Sequence, residues 1–173
     1  MQTRPAGDEY APFYGGYVDL VTEPTILEAL EAQREEVRRH IDAVSTEKEQ
    51  YRYGEGKWSI REVLGHVIDA ERVFSYRAFC ISRGEKVSLP GFDENAYVAA
   101  SRHNERSLVE HATEFDALRG SNLALFRSLD EEGWKQKGTA SDAVVSVRAI
   151  AYIMVGHARH HMGILRDRYG VSP

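Results

Sequence analysis

The sequence predicts an all-α protein, a four-helix bundle. Four long stretches place apolar residues at helical spacing, serines and glycines bracket several of them, and no alternating strand pattern of useful length occurs in the 173 residues. Four amphipathic helices in one small chain bury their stripes by packing together.

Residues 1–22 carry little helical pattern. Tyr10, Phe13, Tyr14 and Tyr17 stand around Gly15-Gly16 and read as an arm that lies over the body and packs by its aromatics, with a frayed terminus as the alternative. The first helix is expected from about Pro24, suited to a first helical position, to Val44, with Ile26, Leu30, Val37 and Ile41 in register. The second opens on a capping box, Ser59-Ile-Arg-Glu62, with Trp58 set to staple onto Val63; it runs to Arg83 and stops at Gly84. A connection from Gly84 to about Asp93 and a short helix from Glu94 to about Ser101 follow. The third long helix spans about Ser107 to Leu129. Asp130 to Val145 reads as loop. The fourth helix, capped by Ser146, runs from Val147 to Tyr169 and stops at Gly170. The chain is thus one domain, 1–173, with an arm (1–22) and a bundle (about 24–169).

Composition narrows the function classes. Hydrophobic residues at 42% are too many for wholesale disorder. The longest apolar run, Ala149 to Gly156, is too short to span a bilayer, and the opening Met1 to Glu9 is too polar for a secretion signal. A cytoplasmic protein without a membrane partner is the expectation. One cysteine, Cys80, excludes an internal disulfide framework and any cysteine-rich zinc module; its place near Ala78 and Ile81 suits apolar filling rather than nucleophilic attack. A net charge of −5 argues against a nucleic-acid partner.

Of the seven histidines, His157 and His161 are the informative pair. They continue the apolar stripe Val147, Ile150, Met154 and precede Ile164. Residues four apart on a helix stand one above the other, about 5–6 Å apart at Cβ, so two imidazoles there can chelate one ion. A buried neutral histidine satisfied by two hydrogen bonds is the alternative. His160 lies on the flank of the stripe. A third ligand must come from another helix. His66, sharing a face with Val63, Ala70 and Val73, is the best candidate, with His111 as substitute; His40 and His103 lie among charged neighbours and read as solvated. Glu71 interrupts the second helix's stripe. It lies about 140° around the helix from His66, so it is expected to orient a ligand histidine from behind or to pair with a buried arginine such as Arg77 or Arg148.

Three segments in order, Lys57-Trp-Ser-Ile-Arg-Glu-Val-Leu-Gly-His66-Val-Ile-Asp-Ala-Glu71-Arg, Leu89-Pro-Gly-Phe, and Gly156-His157-Ala-Arg-His-His161-Met-Gly-Ile-Leu, resemble the DinB/YfiT-like superfamily across about residues 24–169. The resemblance implies a four-helix bundle of metalloenzymes in which His66, His157 and His161 hold a divalent transition ion, nickel or zinc, with His160 the extra histidine between the last two. It also implies transfer of a low-molecular-weight thiol, such as bacillithiol or mycothiol, onto an electrophilic small-molecule substrate, and a homodimer. Three protein ligands fit a catalytic rather than a structural site. The alternatives are a metal-dependent hydrolase, a metal-binding stress-response module without turnover, and an interaction bundle whose histidines are core residues. Glu71 and His160 are the candidates for a supporting shell around the ligands. Loops 84–93 and 130–145 are candidates to line the pocket mouth.

Overall fold

The computed structural model describes residues 3–173; positions 1 and 2 of the arm lie outside the described residues. Four long helices form the bundle: α2 (Ile26–Asp42), α3 (Ile60–Ser82), α5 (Leu108–Arg127) and α7 (Val147–Tyr169). Around the ring α2 packs on α5, α5 on α3, α3 on α7 and α7 on α2. Shorter pieces complete the chain: α1 (Gly15–Asp19), α4 (Glu94–Ala100), α6 (Glu131–Lys135) and the strands β1 (Lys137–Ala140) and β2 (Ala143–Ser146).

The helix ends follow local chemistry. At α3 the Ser59 hydroxyl accepts from the Glu62 amide (3.1 Å) and the Glu62 carboxylate accepts from the Ser59 amide (2.7 Å), the expected capping box. Ser146 caps α7 through the Ala149 amide, and Gly170, at φ +67°, closes it. The first bundle helix starts later than expected, because Thr25 takes the capping role and accepts from Glu28, which puts Pro24 before the cap.

One expectation is corrected, and the reading of the arm gains detail. Residues 130–145 are not an open loop: α6 leads into an antiparallel hairpin, and Leu89 of the 84–93 connection pairs along Ala140. Ser141 and Asp142 both adopt positive φ (51° and 60°), as a two-residue type I′ turn demands. Residues 3–22 do not fray. They include α1, and they dock along α7 through buried Val18 and Glu9 as well as through Tyr10, Tyr14 and Tyr17, while Phe13 stays 77% exposed.

The core falls into two apolar halves. One gathers Leu30, Phe74, Leu123, Phe126, Ile150 and Ile153 with the arm and hairpin. The other gathers Val37, Leu64, Phe115, Met162 and Leu165. Each long helix also buries polar side chains: Gln33, Arg119, Asn122 and His157 fall between the two halves in sequence, with His66, Glu71 and His161 within two turns of that boundary. Arg119 donates to both oxygens of Glu71 (2.7 and 3.0 Å) and to Gln33 Oε1 (2.7 Å). Asn122 donates to Glu71 (2.8 Å), and Gln33 donates to the Val155 carbonyl (2.8 Å). Every long helix therefore contributes to one buried, hydrogen-bonded layer, and this sets their mutual register.

Candidate metal centre

His66 lies two turns into α3, and His157 and His161 lie one turn apart on α7, the helix packed against it. All three are buried, at 3%, 7% and 8% exposure. One nitrogen from each falls within 4.8 Å of the others, the one such cluster of three metal-ligating side chains among the described residues. The Nε2 atoms of His66 and His157 stand 3.0 Å apart, and the His161 ring lies 4.7 Å from that of His66 and 4.6 Å from that of His157, between centroids.

Burial dominates their electrostatics. It lowers His66 to about 4, helped by His103 and opposed by Asp69. It lowers His161 to about 3, with His66 and His160 adding repulsion, and it holds His157 well below the ordinary histidine range, again with its histidine neighbours adding. All three are thus neutral imidazoles near neutral pH, the form in which histidine binds a metal.

The donor set fits such an ion. Two nitrogens on one zinc at about 2.0–2.1 Å and tetrahedral angles are about 3.3 Å apart, close to the spacing of His66 and His157. His161 Nδ1 is buried without a hydrogen-bond partner among the described residues, a condition that His103 Nδ1 and His111 Nε2 share outside the cluster. Aromatic rings enclose the cluster: Trp58 lies 4.9 Å from His66, and Phe74 and Tyr17 each 5.6 Å from His157, between ring centroids.

The remaining candidates from the sequence lie elsewhere. His160 is exposed and packs beside Tyr17, 5.3 Å between rings. Glu71 pairs with Arg119 rather than with Arg77 or Arg148; Arg77 instead donates to the Pro90 carbonyl and Ser141, and Arg148 holds Glu9. His111 is buried but outside the cluster, with Nδ1 on the Ser107 carbonyl (2.8 Å). His40 is half-buried, its Nδ1 on the Glu36 carbonyl. His103 is not solvated. It is buried, bonded to Asp69 (2.9 Å), and lies where any side chain at Gly65 would stand.

A cavity of about 190 Å³ with His161 in its wall is lined by Tyr53, Lys57, Trp58, Asn95 and Tyr169. It draws no lining residue from loops 84–93 and 130–145. In the sequence Trp58 reads as a staple and, with Lys57, opens the first of the three family-like segments, while Tyr53, Asn95 and Tyr169 carry no signal of their own. The one pointer is local: Trp58 sits two turns before His66, at the mouth of the same helix.

Comparison with known proteins agrees with the architecture. No curated protein matches the chain. Among solved structures it resembles YfiT from Bacillus subtilis, described as "a probable metal-dependent hydrolase with an unusual four-helix bundle topology", at TM-score 0.77 and 18% identity over 95% of both chains. It also resembles a mycothiol-dependent maleylpyruvate isomerase (TM-score 0.66, 13% identity, 90% of this chain and 63% of that one). A DinB-like protein from Bacillus subtilis, YjoA, aligns at TM-score 0.56 and 19% identity over 81% of this chain and 86% of that one. The DinB superfamily profile matches residues 29–165, the bundle and its histidines together, and the chain belongs to the DinB superfamily.

Proposed function

We propose that this protein is a metal-dependent enzyme that transfers a low-molecular-weight thiol to an electrophilic small molecule at a centre held by His66, His157 and His161. The observation that carries the reading is the convergence of three buried, neutral imidazoles with no carboxylate among them. Nickel or zinc bound there supplies Lewis acidity that favours a thiolate near neutral pH. The chain's own contribution is placement. α3 and α7 present the three rings from rigid backbone, so little ordering remains when a ligand arrives. Phe74 and Tyr17 pack on His157 and exclude water from that side. The cavity at His161 offers an approach for substrate. A small-molecule substrate and a homodimer belong to the same proposal.

Hydrolysis is the second reading, favoured by the description of YfiT and by a donor set that serves either reaction. The two separate in one assay. Tag-free protein loaded with zinc or nickel is offered bacillithiol, mycothiol, glutathione or cysteine with a common electrophile. Consumption of one thiol, lost in His161→Ala, is the expected result. No turnover with any thiol, together with cleavage of an ester or amide by the metal-loaded protein, would replace transfer by hydrolysis.

A further inference from the structure

The cavity that reaches His161 is asymmetric in charge. His161 forms its buried wall, while Lys57 and Asn95 stand at the exposed rim. No carboxylate among the described residues lines it, and Lys57 brings its one ammonium. The backbone around Lys57 is fixed. The Lys57 amide donates to the Gly54 carbonyl (3.2 Å), its carbonyl accepts from Arg52 (2.6 Å), and Gly56 turns the chain at φ +68°. Arg52 is anchored in turn on both oxygens of Glu62 (2.6 and 3.0 Å), which also accepts from the Ser59 amide and from Asn104. The Glu62 carboxylate is thereby engaged, and the Lys57 side chain makes no ion pair among the described residues. Its ammonium stands 6.0 Å from the Tyr53 ring centroid. The aromatic wall is held as well: Tyr53 meets Tyr169 edge to face at 5.0 Å, and the Tyr169 hydroxyl donates to the Trp58 carbonyl (2.6 Å).

We propose that this cavity takes a carboxylate carried by the substrate, and that Lys57 is the residue that selects it. The proposal rests on the reading of the three histidines as a metal centre: the reacting group lies toward His161, and the carboxylate lies at the rim on the Lys57 ammonium, with the Asn95 amide beside it. With an ion held at His161, the cavity would carry a cation at each end and no acidic lining, which favours a ligand with two anionic ends. The volume, about 190 Å³, is below the roughly 300–1,000 Å³ of pockets for drug-sized ligands, so the cavity holds a reacting end and one short acidic arm.

The test uses the full chain loaded with nickel or cobalt and two probes of one shape, 3-mercaptopropionate and its neutral amide, 3-mercaptopropionamide. Dissociation constants come from the thiolate-to-metal charge-transfer absorption. Wild-type protein is expected to prefer the acid by about fivefold, the size of a partly exposed ion pair. In Lys57→Gln that preference falls to within about twofold, with metal content and amide affinity unchanged, and Lys57→Arg retains it. Added salt weakens the wild-type preference. Equal affinities in the wild type, or a preference that survives Lys57→Gln, would overturn the role of Lys57 while leaving the metal centre standing. A protein that takes up no ion, or that shows no charge-transfer band with either thiol, would overturn the underlying reading and this proposal with it.

Discussion

At position 156 even a methyl group is too large. A Cβ there would stand 2.0 Å from the backbone carbonyl oxygen of Tyr17, an atom that no side-chain rotation moves aside. The glycine lets the arm lie directly on α7, one residue before His157, and brings the Tyr17 ring onto that imidazole. Gly156→Ala is therefore expected to displace the arm at a cost of about 1–3 kcal/mol. Denaturant unfolding would read the stability, and limited proteolysis should cut within residues 3–21 in the variant and spare them in the wild type. The histidines divide at this same scale. His157 and His161 are legible in the sequence because spacing along one helix is a local property, and two imidazoles on an apolar stripe violate its pattern. His103 is not. Its neighbours Arg102, Asn104 and Glu105 are polar, and the space that buries it is made by Gly65 on another element.

At the scale of elements, the long helices are readable from their caps and stripes, while the hairpin and the docked arm are not. Strands of four residues carry too little alternation to register, and a Ser-Asp turn lacks the Asn-Gly signature of type I′ geometry. The arm is held by contacts far away in sequence, above all by Glu9. Its carboxylate accepts from the Ala6 amide (2.9 Å), the Ser146 hydroxyl (2.7 Å) and Arg148 Nε (2.7 Å). Burial raises this carboxyl, but the hydrogen bonds from Arg148, Ser146 and Ala6 outweigh it and hold the group at about 2, against an ordinary 4.5. Because the folded value is depressed, the ionised form stabilises the docked arm. That contribution is complete above about pH 4.5 and fades as the pH falls toward about 2. Glu9→Gln should flatten this part of the pH–stability curve and cost about 1–3 kcal/mol at pH 7, as thermal unfolding across pH 2–7 would show.

At the scale of the whole molecule, the bundle is two apolar halves with a buried hydrogen-bonded network between its four long helices. Periodicity marks Glu71 as out of place but does not name its partner, because which side chains meet across a bundle depends on helix register. The partner is Arg119, buried over the Phe115 ring at 4.9 Å and bonded to α2 and α3. Arg119→Met should cost about 3–5 kcal/mol by leaving the Glu71 charge buried with only the Asn122 amide on it, whereas Glu71→Leu combined with Arg119→Met should cost markedly less. A double-mutant cycle by urea unfolding measures the difference.

Whether His66, His157 and His161 hold a metal ion is decided by stoichiometry. Tag-free protein is saturated with nickel or zinc, desalted and analysed for ion per chain by mass spectrometry. One ion per chain is expected in the wild type and in His160→Ala, and less than about a tenth of that in His66→Ala, His157→Ala and His161→Ala, each shown folded by circular dichroism. Folded wild-type protein that retains no ion, or a loss in His160→Ala equal to that in the other three, would contradict a metal centre at these three histidines.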